Sequence, residues 1–390
     1  MPDARRDLRL GALVALLVLA TNALWVSHRH GAFLHKPKRV VEADHLHYIE
    51  MAKGAYGRQD LVQTPPYCFR VLTPALVRLL MRAGFSLNAG FYLVTLASLF
   101  GFLLVCWRLT RDLGYGLTAR IVGLLVVGFT QGPVRWFVHQ YWMSDPPCVF
   151  LLTLGLYWMR RDRVVPLTVV SIVAAFVRET YIVLYPCLFV LEWKRRGPRA
   201  AFLRTAAVAA IPFAILVTLR LTVPASARDN FIEGIIDSLA FRWRHLWDNQ
   251  LYVLTIGTWG VALPLALLYP SHLGQAVRRH PDLVTLLAAV YATLLISNNT
   301  ERQLAYAAPV VLAAALYGFE RFVAETGLPV LPVAAIVVGL QVHLWVVTRF
   351  AEPGMSMYQP TNWGVIVAMT AAFAAALLWR RRWISSRGPA

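Results

Sequence analysis

Apolar runs separated by short charged breaks extend over almost the whole chain. The longer runs hold roughly 17 to 25 residues, which is enough for a helix to cross about 30 Å of hydrocarbon. The pattern predicts an all-α, polytopic integral membrane protein with about 12 transmembrane helices, within a range of roughly 10 to 13. The predicted spans lie near residues 8–26, 88–107, 117–130, 147–159, 164–177, 180–193, 201–221, 251–269, 282–297, 304–319, 329–347 and 363–379.

The polar connections between these spans differ in length and in charge. Short basic turns at 160–163, 194–199 and 380–382 fall on one side of the membrane, and the positive-inside rule makes that side cytoplasmic. Both termini are then cytoplasmic. No polar stretch is long enough for a soluble domain, so residues 1–390 are expected to form a single domain in the cytoplasmic (inner) membrane. The longer loops face the extracytoplasmic side, where we expect chemistry, and comprise residues 27–88, 131–147 and 222–250.

Two segments of these long loops have the pattern of amphipathic helices that lie on a membrane surface. Thr73 as N-cap, Pro74 at the first helical position and Gly84 after the last turn frame about ten residues, which is too short to span a bilayer. In the 222–250 loop, apolar residues recur at helical spacing between Asp229 and Trp247. We expect both segments to be interfacial helices.

The composition supports the membrane prediction and narrows the partners. Hydrophobic residues make up 58% of the chain and charged residues 15%, whereas soluble domains carry roughly 25% charged residues. The 38 Lys and Arg residues behind the net charge of +18 are dispersed between apolar spans. They therefore indicate membrane topology and a lipid bilayer with anionic lipids, and no nucleic acid. Three of the four cysteines are predicted to be small apolar residues in or at the ends of spans, with a Cys68–Cys148 bridge as an open alternative.

The first long loop concentrates titratable residues. Glu42 and Asp44 stand two residues apart, and His47 and Tyr48 follow one helical turn after Asp44. A carboxylate in this setting is able to deprotonate an alcohol. The alternative is a solvated helix N-terminus, where acidic residues are favourable.

Arg70 lies just before the predicted helix that begins at Pro74. A guanidinium close to the backbone N–H groups of a helix N-terminus suits a phosphate. The alternative is an arginine that extends its side chain to the membrane interface. Arg302 is a second candidate for the phosphate, ranked above Arg178, which has Glu179 beside it as a partner.

The second long loop combines aromatic, basic and acidic residues, among them Arg135, His139, Trp142 and Asp145. Aromatic faces beside polar groups suit a sugar, although an interfacial aromatic belt has the same composition. His45, His47, His139 and Asp145 are ligand types for a divalent cation, but their spacing is not that of a strong metal motif. No cofactor or metal site is predicted, and a divalent cation stays open.

Together these residues resemble the GT-C superfamily of integral membrane glycosyltransferases. Members of that superfamily place an acidic motif, often Glu-x-Asp, in the first extracytoplasmic loop, and 42–44 has this form and position. The similarity continues at Tyr48, 51–52, 66–67 and 70–74, as in bacterial, mannosyltransferase-like members. Weaker similarity is found at 144–146, at 178–180, and at Arg302 ahead of Pro309. The motifs cover roughly the first 85 residues, and beyond them the resemblance is architectural.

The resemblance implies an inverting transfer of a sugar from a polyprenyl-phosphate donor to a hydroxyl of a glycan, glycolipid or protein acceptor. The transfer would take place on the extracytoplasmic face, with Asp44 as general base and Glu42 orienting it. The donor phosphate would be bound by Arg70, Arg302 and Arg135. The sugar or acceptor would be bound by His47, Tyr48, Tyr67, His139, Trp142 and Asp145. The alternatives are a polysaccharide polymerase or ligase, a lipid-sugar transporter, and a non-catalytic membrane scaffold.

Overall fold

The computed structural model describes residues 4–30, 34, 44–225, 236–237, 239–240, 243–244, 253–269, 279–294 and 300–347, together with isolated positions between 364 and 382. Every regular element in this part of the chain is helical. The α-helices are α1 (Ala4–His30), α2 (Asp44–Lys53), α3 (Gln59–Val62), α4 (Leu72–Arg82), α5 (Leu87–Asp112), α6 (Leu117–Gly128), α7 (Phe137–His139), α8 (Asp145–Arg160), α9 (Val164–Ala175), α10 (Leu184–Arg196), α11 (Pro198–Thr222), α12 (Ala262–Leu267), α13 (Pro281–Thr293), α14 (Thr300–Leu304), α15 (Ala308–Thr326) and α16 (Val330–Val347). Short 3₁₀ turns cover Gly54–Tyr56, Tyr67–Phe69, Glu179–Val183 and Ala305–Ala307, and π-helical turns cover Gln131–Trp136 and Val253–Gly257.

Four helical segments are long and apolar enough to cross a membrane. They are residues 4–29, 87–112, 198–222 and 302–326, the last formed by α14, a 3₁₀ turn and α15. A fifth arises if α6 and the bent segment that follows it form one span. The described chain is therefore all-helical with four to five candidate membrane-spanning helices, as predicted in kind. The number of about 12 spans remains a prediction. The helices α9, α13 and α16 are apolar but shorter than the four segments above. The predicted spans 251–269 and 363–379 lie partly outside the described residues.

The helices pack around one apolar core. α5 contacts α1 and α8, α10 contacts α11 and α13, and α12 contacts α15. Gly155 lets the turn after α9 approach α8 closely, because a Cβ there would lie 2.3 Å from the hydroxyl oxygen of Tyr181. This contact fixes the turn that begins with Glu179. All four cysteines are free and buried, so the alternative of a Cys68–Cys148 bridge is excluded.

The bend after α6 is stabilised by polar side chains inside the bundle. The chain turns by 54° there, which removes helical partners from the last carbonyls of α6. Asn22 donates to the carbonyl of Gly128 at 3.0 Å, and Gln341 donates to that of Phe129 at 2.8 Å. Backbone groups freed at membrane depth need such partners because no water is available to them.

Ion pairs gather at one end of the helix bundle, where α1 and α11 begin and α5, α8 and α10 end. Asp7 lies 2.8 Å from Arg120, and Arg161 donates to both carboxylate oxygens of Asp112 at 2.7 and 2.9 Å. Arg160 reaches Asp282 at 2.6 Å. We call this end the basic end, since it carries the short basic turns 160–163 and 194–199.

The first predicted interfacial helix exists as α4, with a shifted start. It begins at Leu72 and its N-cap is Val71, so Thr73 and Pro74 lie inside the first turn, and the prediction of Thr73 as N-cap is wrong. Gly84 follows the helix with φ +96°, a conformation that favours glycine. Leu76 and Leu79 are exposed on its outer side. The second predicted interfacial helix, 229–247, lies mostly outside the described residues.

Candidate active site

The residues of the candidate site come from separate parts of the chain and meet at the end opposite the basic end. Asp44 begins α2, shortly after α1 ends, and Asp145 begins α8. Glu179 begins the turn between α9 and α10, and Arg302 lies in α14 ahead of α15. Because α8 and α10 both end at the basic end, Asp145 at the start of α8 and Glu179 just ahead of α10 arrive at the opposite end of the bundle.

Asp44 is bound by a tyrosine and an arginine. The hydroxyl of Tyr67 donates to Asp44 Oδ1 at 2.7 Å, and Arg302 donates to Oδ2. Burial by itself would raise the pKa of the Asp44 carboxyl, but the Arg302 guanidinium and the Tyr67 hydroxyl outweigh it and hold that pKa well below its ordinary value. Asp44 is therefore ionised at neutral pH.

Arg302 lies between two carboxylates. Besides its bond to Asp44, its Nε lies 3.5 Å from Oδ1 of Asp145. The same oxygen lies 2.7 Å from Arg178 and accepts a hydrogen bond from Tyr306 at 3.1 Å. Asp145 is fully buried, so its charge depends on these partners.

Arg70 makes a separate pair with Glu179. Its Nε donates to Glu179 at 3.0 Å, one terminal nitrogen donates to the other carboxylate oxygen, and the remaining one donates to the Tyr48 hydroxyl at 2.9 Å. That hydroxyl also accepts from Ser144 at 3.0 Å. Burial would raise the pKa of Glu179, but Arg70 reverses the effect and lowers it to about 2.

Three arginines and three carboxylates thus share one small region, which we call the charge cluster. Its members are Asp44, Arg70, Asp145, Arg178, Glu179 and Arg302. The arginines are at most 5% exposed, and an unpaired charge at such a site is strongly destabilising. Within the described residues each arginine contacts a carboxylate. The cluster is compact and close to neutral, and charged groups of this kind next to membrane spans are expensive and commonly functional.

Arg178 and Glu179 are neighbours in sequence but pair with other residues, so the alternative in which Arg178 is partnered by Glu179 is wrong. The backbone of Arg178 is extended, with φ −169° and ψ 138°, so consecutive side chains point in opposite directions. Arg178 reaches Asp145 and Glu179 reaches Arg70. Of the cluster members, Glu179 was not predicted as a site residue, and Arg178 was only ranked below Arg302 as a phosphate contact. The signal for them was a charged dipeptide between two apolar runs.

Three other predicted site residues, His47, Trp142 and His139, contact residues outside the charge cluster. His47 stacks on Tyr67 with ring centroids 4.3 Å apart, and its Nδ1 lies 2.9 Å from the carbonyl of Leu61. Trp142 is buried and donates to Asn88 at 3.2 Å. His139 packs near Trp136, with ring centroids 6.5 Å apart.

The structure gives Arg135 a contact other than the predicted one and does not describe Glu42. Arg135 donates to the carbonyl of Trp345 and lies over its ring at 5.6 Å. This contact ties the bend after α6 to α16 and gives Arg135 a structural role. Glu42, predicted to orient Asp44, lies outside the described residues.

An apolar groove of about 510 Å³ lies along α11. It lies between α11 and Phe176, which precedes Arg178 by two residues. Its lining consists of Phe176, Ala210, Ile211, Ala214, Ile215, Thr218 and Leu219. Near the end of α11, Arg220 lies over the ring of Phe69 at 5.1 Å. The groove therefore runs along a candidate membrane span, and Arg220 follows its last lining residue, Leu219, in the chain.

Comparison with known proteins adds no relative. No protein-family model matches the chain, and no curated protein matches it significantly. The charge cluster and the first-loop motifs are therefore the features that connect this chain with a function.

Proposed function

We propose that the protein is a membrane glycosyltransferase of the GT-C type, which transfers a sugar from a polyprenyl-phosphate donor to an acceptor hydroxyl. The observation that carries the proposal is the position of Asp44. This ionised carboxylate lies in one buried cluster with Arg70 and Arg302, two residues suited to a phosphate. The reaction would take place on the extracytoplasmic face of the cytoplasmic membrane, with both termini in the cytoplasm.

Asp44 would act as general base. It accepts the proton of the acceptor hydroxyl while the hydroxyl oxygen attacks the anomeric carbon from the side opposite the phosphate. The bond between that carbon and the phosphate oxygen breaks, and its electron pair stays on the phosphate. A single displacement of this kind inverts the anomeric centre. Arginine stabilises the charge that develops on the phosphate.

The apolar groove supports a lipid-linked donor. A donor carried by a polyprenyl chain stays in the bilayer, so its chain needs an apolar path that ends at the reacting phosphate. Phe176 lines the groove along α11, and Arg178 and Glu179 follow Phe176 two and three residues later in the chain. A soluble nucleotide sugar would have no use for such a path.

The test is sugar transfer by the purified protein in liposomes. A radiolabelled polyprenyl-phosphate sugar is supplied with candidate acceptors, and we expect a labelled glycoside of inverted configuration. Asp44→Asn should lose the activity. Transfer of a whole preassembled glycan would identify a polymerase or ligase instead, and movement of the intact donor across the bilayer without transfer would identify a transporter.

A further inference from the structure

The three arginines of the charge cluster differ in the partners that they bind. Arg70 uses two nitrogens on Glu179 and the third on Tyr48. Arg178 contacts the fully buried Asp145 and donates to Thr180 at 3.0 Å. Arg302 binds Asp44 through one terminal nitrogen, and its Nε stays 3.5 Å from Asp145. Arg302 is therefore the arginine that is bound to the proposed base, and it is bound there by a single hydrogen bond.

The proposed reaction moves charge past this arginine. Before transfer, Asp44 and the phosphodiester of the donor each carry one negative charge. After transfer, Asp44 holds the acceptor proton and is neutral, while the phosphate monoester released by the sugar carries two negative charges. The total charge is unchanged, but one negative charge has moved from Asp44 to the phosphate.

We infer that Arg302 changes partners during this step, from the carboxylate of Asp44 to the leaving phosphate. The inference rests on the proposed function and adds a second catalytic role for Arg302. Proton uptake by Asp44 releases the guanidinium at the moment when the phosphate gains its second charge. Asp145 keeps Arg302 in place, because its buried carboxylate stays beside the guanidinium whichever partner is bound.

The groups around Asp44 are compatible with this exchange. Tyr67 faces the carboxylate from the 3₁₀ turn, and Arg70 follows it in the chain. From α4, Arg78 reaches the far end of α2 at the carbonyl of Ala52. Arg302 approaches from α14. Tyr67 is neutral at ordinary pH, since burial and the nearby Asp44 raise its pKa further, so the acceptor proton has Asp44 as its destination.

The first test measures protons taken up when the product lipid binds. Near pH 8 undecaprenyl phosphate is mainly a dianion, since the second pKa of a phosphate monoester is about 6. Calorimetry in buffers of different ionisation enthalpy should show uptake of about one proton per lipid bound by the wild-type protein, and almost none with Asp44→Asn. Binding without proton uptake, or equal uptake by both proteins, would overturn the inference.

The second test is a double-mutant cycle on binding of undecaprenyl phosphate. Asp44→Asn frees Arg302, so it should tighten binding roughly ten-fold, which is the value of one charge-assisted hydrogen bond. In an Arg302→Gln background the same substitution should change affinity by less than about two-fold. Equal tightening in both backgrounds would mean that Asp44 simply repels the phosphate, and the exchange would be rejected.

Matched controls separate this inference from misfolding and from the proposed function. Asp60→Asn removes an exposed carboxylate near the same loop and should leave binding unchanged. Undecaprenol, which lacks the phosphate, should bind all folded variants alike. If the wild-type protein transfers sugar but the cycle is additive, the exchange fails and the function stands. If the cycle behaves as expected but no sugar is transferred, the proposed function fails.

Discussion

Asp44 is the residue on which the proposed transfer depends most directly. Arg302 and Tyr67 hold its carboxylate ionised and in place, so the asparagine variant keeps the shape and loses the base. We expect Asp44→Asn to lower kcat by about 10² to 10⁴ with donor binding retained. Asp60→Asn is the matched control, since Asp60 is exposed. Retention of more than roughly a tenth of the wild-type kcat would exclude Asp44 as the base.

The pH dependence of the reaction should report the contact between Asp44 and Arg302. Burial raises the pKa of Asp44, and Arg302, Tyr67 and Arg70 together lower it by more. In the wild-type protein the pKa of Asp44 lies well below that of an ordinary carboxyl group, so Asp44 stays ionised in mildly acidic buffer. Protonation of Asp44 should therefore not lower kcat/KM there. With Arg302→Gln only Tyr67 and Arg70 still oppose the effect of burial on this pKa. The acid limb of kcat/KM should then move to higher pH, and an unmoved limb would assign it to another group.

Arg70 tests whether a firmly paired arginine also contacts the donor. Arg70→Lys keeps the charge but loses the two-pronged geometry, and Arg70→Ala loses both, so affinity for a polyprenyl phosphate should fall in that order. The alanine variant should bind roughly ten-fold to a hundred-fold more weakly, while polyprenol binding is retained. Equal loss for both lipids would mean that Arg70 and Glu179 only hold the first loop against the turn after α9.

Residue types were easier to predict from the sequence than their partners. Asp44, Tyr67, Arg70 and Arg302 were selected for their chemistry and for their position beside apolar runs, and the structure brings them together. Their pairing depends on contacts between residues more than 100 positions apart, such as Arg70 with Glu179. Local spacing carries no information about such contacts.

At the scale of helices, the groove along α11 makes a prediction about the donor chain. Ala214 lines the groove, so Ala214→Trp should fill it, whereas Val217 is exposed on the same helix outside the lining and provides the control Val217→Trp. We expect the Ala214 variant to raise KM for a long-chain polyprenyl-phosphate sugar roughly ten-fold. A short isoprenoid donor that does not reach the groove should be nearly unaffected.

That pattern can be checked by comparing KM for donors of increasing chain length in the two tryptophan variants. An equal rise in KM for donors of all chain lengths would indicate a general disturbance of α11. An unchanged KM for every donor would place the lipid chain elsewhere on the molecule. That result would not contradict the proposed glycosyl transfer.

Helices with long apolar runs were predicted well from the sequence. Bends were predicted less well, because they depend on backbone geometry and on contacts with distant helices. The run at 88–107 appears as α5, whose N-cap Ser86 accepts from the N–H of Ala89 at 3.2 Å. The run at 117–130 ends in a bend, because Asn22 and Gln341 from distant helices bind the carbonyls released there. A pattern of apolar residues cannot show those distant partners.

The whole molecule has two ends of different character. The basic end holds exposed arginines paired with Asp112 and Asp162, while the opposite end holds the buried charge cluster. Helices of 12 to 18 residues, such as α9, α13 and α16, are near or below the length of a complete span. The count of spans therefore cannot be obtained from apolar length alone, and sidedness has to be measured.

Sidedness is tested by labelling one residue at each end. The positive-inside rule places the basic end in the cytoplasm and the charge cluster outside. Asp60 and Arg199 are exposed and lie at the cluster end and the basic end respectively, and the four native cysteines are buried, so the unsubstituted protein sets the background. In intact cells a membrane-impermeant maleimide should label Asp60→Cys, and it should label Arg199→Cys only after lysis. The reverse pattern would place the charge cluster in the cytoplasm, where an extracytoplasmic transfer from a lipid-linked donor would be impossible.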